Sequence, residues 1–215
     1  MALTRDDIAT RVRFNLDDVG ITFFSADDIN ESIQDGYDEV VAIARTITSN
    51  YEIPLEDKTS YYNFRAIIPD YIHVAGIFNN NTNRWLNYSS HVLLRELRSD
   101  WELAKGEPSG FTVWDGRWIS LFPRLVTGAG TLTVIYKASA NTLAAATVPS
   151  VPYAYERILE YYSTMDLLEQ SEEYGKAGLW IKDYFTYLNN LKKHMANRIL
   201  TDMIAHYRSI PSGLS

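Results

Sequence analysis

Asp115-Gly116 is the strongest turn signal in the chain, and it constrains what the middle of the fold can be. An Asp-Gly pair between apolar segments favours a tight two-residue type I′ hairpin, whose twist suits strand pairing. After it, Trp118, Ser120 and Phe122 share one face of a strand, with Ile119 and Leu121 on the other. Both faces carry apolar bulk, so this strand is expected to be covered on two sides. Pro123 ends it. Beyond Thr127-Gly-Ala-Gly130, Leu132, Val134 and Tyr136 alternate with Thr131 and Thr133, the pattern of a further strand.

Helical arms flank this β centre. Thr4 precedes an Asp-rich turn (Asp6, Asp7), and Ile8, Val12 and Leu16 follow at four-residue spacing. Ser25-Ala-Asp-Asp28 has the form of a capping box, followed by a stripe of Ile29, Ile33, Tyr37, Val40 and Val41. The period is lost between about 48 and 89, where Thr59–Arg65, Tyr71–Phe78 and Arg84–Tyr88 are expected as short strands around an Asn79–Asn83 turn. A short helix from His91 to about Trp101 leads to Gly106 and Pro108. Residues 138–150 are mostly small (Ala, Ser, Asn, Thr and Leu, closed by Val148-Pro149), with too little bulk for a core, and are expected to cross a surface as a linker. From Pro152 two stripes return: Tyr155, Ile158, Leu159, Tyr162, Met165 and Leu168, then Trp180, Tyr184, Leu188, Leu191 and Met195. Gly175 and Gly178 lie between the stripes and suggest two antiparallel helices. The alternative, a single rod, would run roughly 80 Å at 1.5 Å per residue.

These signals predict an α+β, mainly α fold. A helical bundle from the N- and C-terminal arms (1–47 and 151–208) carries an inserted small antiparallel β region with a short helix (48–137). The linker 138–150 and a C-terminal tail 209–215, with Pro211 and Gly213, complete it. The tail is expected to order only on a partner.

Composition removes several function classes. The chain has no cysteine, which excludes disulfides and thiolate chemistry. No run approaches the 18 or so apolar residues that span a bilayer, and the N-terminus lacks a signal peptide's basic start and apolar stretch. A soluble, non-secreted protein is expected. Charge is uneven: residues 1–58 carry a net −8 and the remainder +1, with Lys176, Lys182, Lys192, Lys193, Arg198 and Arg208 concentrated near the end. Unlike-charged regions can steer one copy onto another, or they are simply solvated helix faces. An overall −7 disfavours broad phosphate binding.

Reactive constellations are lacking. His73, His91, His194 and His206 have no second ligand at metal spacing. The Asp6-Asp7 and Asp27-Asp28 pairs sit where helix N-termini favour acids, without the spaced loop of a calcium site. Glu102, Glu107 and Asp115 could be imagined as a glycosidase pair. Lys192-Lys193 and Arg198, near Tyr184 and Tyr187, only loosely resemble a phosphate-contacting face. No catalytic, cofactor or metal residue is assigned, and no enzyme activity is expected.

The ordered pieces nonetheless resemble one family. Asp6-Asp7-Ile8 and Phe24-Ser-Ala-Asp-Asp-Ile29-Asn30 open two helices, and Pro69-Asp70-Tyr-Ile-His-Val74 starts a strand. Trp101, Gly106-x-Pro108, Ile119-x-Leu121-Phe122-Pro123 and Leu132-x-Val134-x-Tyr136 follow. Val151-Pro152-Tyr153 and Leu167-Leu168-Glu169-Gln170 close the series. Together they resemble the head–tail connector (adaptor) proteins of tailed bacteriophages. The N-terminal pattern of the T7-type tail-tube gatekeepers is not present. The resemblance implies a structural virion protein at the head–tail junction, assembled in the host cytoplasm. It implies a homo-oligomer, a dodecameric ring between the portal protein and the tail or nozzle proteins. DNA would pass through its channel without sequence-specific binding, and no membrane or cofactor is involved. Tyr207, Ile210 and Leu214 are then candidate portal anchors, and Trp114, Trp118 and Phe122 a candidate brace between subunits. Another tail-completion or nozzle ring is the alternative, and a tail-associated cell-wall hydrolase a second.

Overall fold

A computed structural model describes residues 2–18, 20, 23–55, 61–97, 101–125 and 130–208, with side chains through 198. The first elements are helices α1 (Arg5–Asn15) and α2 (Ala26–Ala44), then strands β1 (Thr48–Leu55) and β2 (Tyr61–Asn63). A helical turn α3 (Phe64–Ile67) leads to β3 (Tyr71–Asn79), β4 (Arg84–Trp85), β5 (Asn87–Tyr88) and helix α4 (His91–Leu97). Strands β6 (Gly110–Trp114), β7 (Trp118–Phe122) and β8 (Gly130–Ala138) follow. Helices α5 (Arg157–Gln170) and α6 (Tyr174–Arg208) end the described chain. The chain forms two compact units, one of residues 1–46 with 140–215 and one of 47–139.

In the helical unit both N-terminal helices start as their caps dictate. Thr4 and Ser25 accept hydrogen bonds from the backbone N–H of Asp7 and Asp28, and those carboxylates accept in return from the cap backbone. The hydroxyl contact first and the backbone contact second hold both carboxyls below the usual aspartate range. Between the helices, buried Asp18 accepts the Phe23 and Phe24 N–H groups at 3.0 Å each and meets Arg13 at 3.2 Å. Helix α5 packs against α1, α2 and α6. Its fit on α2 needs Gly36, where an added Cβ would lie 2.5 Å from Tyr162 Cδ1.

Helices α5 and α6 are separate and antiparallel, as the pairings Tyr161–Tyr187, Tyr162–Tyr184 and Tyr155–His194 require. The break falls at Ser171–Glu173, with Glu172 in the left-handed region (φ 62), and not at the glycines. Gly175 and Gly178 lie inside α6. The stretch from 140 to 151 is strapped down on this unit. Arg5 N–H donates to Thr147 O, Gln34 Oε1 accepts from Leu143 N–H, and Tyr37 Oη accepts from Ser150 N–H. Leu143 is buried despite the small residues around it.

The second unit overturns the expected fold class. It is no small antiparallel insertion in a helical bundle: among the described residues it holds two four-stranded sheets, ordered β1-β8-β3-β4 and β2-β7-β6-β5. The β5–β6 pair is parallel. Ile53, Leu55, Val74, Ile77, Leu132 and Val134 of the first sheet share one core with Tyr62, Phe111, Ile119 and Leu121 of the second. The protein is therefore an α+β fold with a substantial mixed β unit.

The differences have local causes. β1 is an edge strand containing Pro54, and its first five residues are largely exposed, so it shows no clean alternation. The strand expected over Thr59–Arg65 is only Tyr61–Asn63; 59 and 60 lie outside the described residues. Asn63 then caps a helical turn, its Oδ1 accepting from Ala66 N–H. The strand expected over Arg84–Tyr88 is divided between the sheets: Leu86 N–H donates to Ile77 O at 2.8 Å, and Asn87 N–H to Ser109 O at 3.0 Å. The hairpin also differs in one respect. Asp115 and Gly116 both take positive φ (53 and 63), as a type I′ turn requires, but Trp114 pairs with Trp118, leaving three residues in the loop.

Candidate interaction surfaces

The β6–β7 hairpin has two unlike faces. Phe111, Val113, Ile119 and Leu121 point to the shared core, joined by Tyr62 from β2. The opposite face carries Thr112, Trp114, Trp118, Ser120 and Phe122 by strand alternation, with Tyr61 brought alongside because it pairs with Ser120. Trp101 covers one end of this face, its ring 6.0 Å from Phe122, and His91 packs edge-on against Trp101. Gly110 is needed there: a Cβ would meet the Phe122 ring at 2.4 Å. The expectation of a strand covered on two sides is met at this end by the unit's own residues.

The other end is open. Trp114 and Trp118 stack with centroids 5.8 Å apart and planes 14° from parallel, and Tyr61 meets Trp114 edge-on. Trp114 is 40% and Tyr61 41% exposed. Burial pushes the Tyr61 hydroxyl's pKa up, with the Glu102 charge adding to it. Arg117 donates from Nε to Asp115 at 2.7 Å across the hairpin loop. Of the three brace candidates, the structure brings Trp114 and Trp118 together at an exposed tip and engages Phe122 inside its own unit. Tyr61 joins them through strand pairing, which no local sequence pattern signals.

Two of the three imagined carboxylates have structural partners. Asp115 is held by Arg117, and Glu107 accepts from Asn79 Nδ2 at 2.9 Å. Glu107 borders an open cleft of about 520 Å³ with Arg84, Trp85 and Pro108. Of the paired N-terminal aspartates, Asp7 and Asp28 are spent on helix caps and Asp6 meets Arg5. Among the described residues no group of three His, Asp or Glu could hold a metal ion. His194 packs at a tilt against Tyr155, and the His206 side chain lies outside the described residues. No helix among the described residues is long and apolar enough to cross a membrane. Tyr207 falls in the last turn of α6, its side chain outside the described residues; Ile210 and Leu214 lie outside them altogether.

An exposed aromatic tip, with capping and turn residues tied up in local hydrogen bonds, suits a protein that works by contact. Comparison with known proteins agrees: the SU10 adaptor protein family matches residues 3–204. The chain belongs to that family. The match covers nearly the whole chain, both units included. It makes the protein a phage head–tail adaptor and a virion component, a structural class and not an enzyme class. Such an adaptor interacts with other head and tail components of the phage. No curated protein matches the chain.

Proposed function

We infer that this adaptor forms a ring between the portal protein and the tail, its copies lining the channel through which DNA passes. The observation that carries the reading is the family match over 3–204. The acidic N-terminal region and basic C-terminal helix suit a contact repeated between identical neighbours. A net charge of −7 suits a wall that DNA passes without being held. The C-terminal end of α6 and the residues after it, with Tyr207, Ile210 and Leu214, are assigned to the portal. The exposed tip of Trp114 and Trp118, with Phe122 behind it, is assigned as the brace between subunits or against the tail.

Two measurements test this. The mass of the purified protein, alone and with portal protein, should reveal a closed oligomer; single copies under both conditions would refute the ring. Deleting 208–215 should leave a folded protein that no longer binds portal, and unchanged binding would refute the C-terminal assignment. Electron cryo-microscopy of particles separates the adaptor from a nozzle ring by whether the subunit adjoins the portal.

A further inference from the structure

We propose that the outward face of α6 on one copy docks on the outward face of α2 on the next. The proposal rests on the ring reading and names the two surfaces that make the ring. On α6, Ala177, Tyr184, Leu188, Leu191 and Met195 are buried against the helical unit. At 100° per residue, the side turned away from them carries Leu179, Lys182 and Lys193. Leu179 is 74% exposed, and Tyr174 and Phe185, flanking the ridge, are 66% and 52% exposed. Lys182, Lys192 and Lys193 are exposed, and among the described residues none of them forms an ion pair. Gly175 and Gly178 weaken this helix, yet a Cβ at either would meet nothing within 4 Å. The room they leave is unused by the chain's own fold.

Helix α2 presents the complement. Its Ile29, Ile33, Tyr37, Val40 and Val41 face inward. Asp27, Glu31, Asp35 and Asp38 recur three or four residues apart along one exposed ridge. Like charges at that spacing repel, and among the described residues no cation pairs with them. Phe23, 73% exposed, lies just before the ridge as Leu179 lies just before the lysines. The spans match: Asp27 to Asp38 and Lys182 to Lys193 each cover eleven residue steps, about 16 Å of helix. Each face points away from the core of its own unit, so the two cannot meet within one copy. Between copies the contact is head to tail, which closes into a ring when the rotation allows.

Charge reversal tests the pairing. Glu31→Lys with Asp35→Lys, or Lys182→Glu with Lys193→Glu, should weaken self-association by about tenfold or more in sedimentation. All four changes in one chain should restore it. Because the chain has no cysteine, Glu31→Cys with Thr186→Cys adds an independent readout. These positions lie near the midpoints of the two ridges, so oxidation should give a ladder of covalent oligomers, and each single variant none. Oligomers of parental strength in both reversals, or no ladder from the double cysteine, overturn the interface and leave the ring reading standing. Single copies in solution and in particles overturn both.

Discussion

Gly36→Ala sets two effects of known size against each other. In isolation the change favours helix α2, since alanine is better than glycine in a helix interior by about 0.8–1.0 kcal/mol. Here the new Cβ would stand 2.5 Å from Tyr162 Cδ1, 2.8 Å from Cγ and 3.2 Å from Cβ. Carbon contacts are comfortable near 3.5–4.0 Å, so the side chain or the helix must shift by roughly 1 Å. Tyr162 cannot yield easily. The clash reaches the root of its side chain, and its ring packs 5.4 Å from Tyr184, whose hydroxyl donates to Glu39 at 2.6 Å. Overpacking of this kind costs about 1–3 kcal/mol, and a contact at the side-chain root belongs at the upper end. The net expectation is a loss of about 2 kcal/mol in urea unfolding followed by far-UV circular dichroism. With a slope of about 2 kcal/mol/M, the midpoint should fall by roughly 1 M. In a Tyr162→Ala background the same change should reverse sign and stabilise by about 1 kcal/mol. Gly36→Ala that is neutral or stabilising, or equally harmful in both backgrounds, refutes the steric account.

Other positions give sharper single readouts. Asp18→Ala should destabilise the helical unit by roughly 3–5 kcal/mol, because it strands the largely buried Arg13 charge and the Phe23 and Phe24 N–H groups; thermal unfolding within 1 kcal/mol of the parent would contradict this. Tyr184 is pushed well above 10 by burial and then by Glu39, and Tyr162 up to about 12 by burial and then by the charges of Glu39, Asp166, Asp35 and Glu169. The folded state therefore keeps protons that the unfolded chain loses above pH 10, so stability is full below pH 10 and falls by about 1.4 kcal/mol per pH unit for Tyr184 alone; helical signal surviving to pH 12 with all phenols ionised would refute it. Trp114→Ala with Trp118→Ala should leave the core of the β unit folded, since the exposed tip faces away from it, but weaken assembly; the tip is no brace if assembly is unchanged.

Capping and helical stripes were legible in the sequence because they depend on neighbours three or four residues away. Thr4, Ser25 and the α2 stripe of Ile29, Ile33 and Tyr37 act within one helix. The β unit was less legible because its pattern is non-local. Pro54 and polar Asn50 and Glu52 conceal β1, which is a strand because β8 pairs with it along its length. β4 and β5 are two residues each, too short for any period, and exist because Leu86 carries the chain from one sheet to the other. Tyr61 joins the tryptophan tip for the same reason: its neighbour Ser120 is far away in sequence.

That difference bears on where the contact surfaces lie. A strand with apolar residues on both faces must have each face covered, and here the core takes one while Trp101 takes only the Phe122 end of the other. What remains is an aromatic cluster of stacked Trp114 and Trp118 with Tyr61 edge-on, at a loop closed by the Arg117–Asp115 pair. Rigid aromatics lose little entropy when covered and suit the centre of a contact better than flexible chains do. In the interface proposed for the helical unit, charge ridges set direction and register while the exposed Phe23, Tyr174, Leu179 and Phe185 flank them. In the proposed ring, the adaptor holds identical neighbours and unlike partners at once. Two units with different surface chemistry let those two tasks be met without one contact competing with the other.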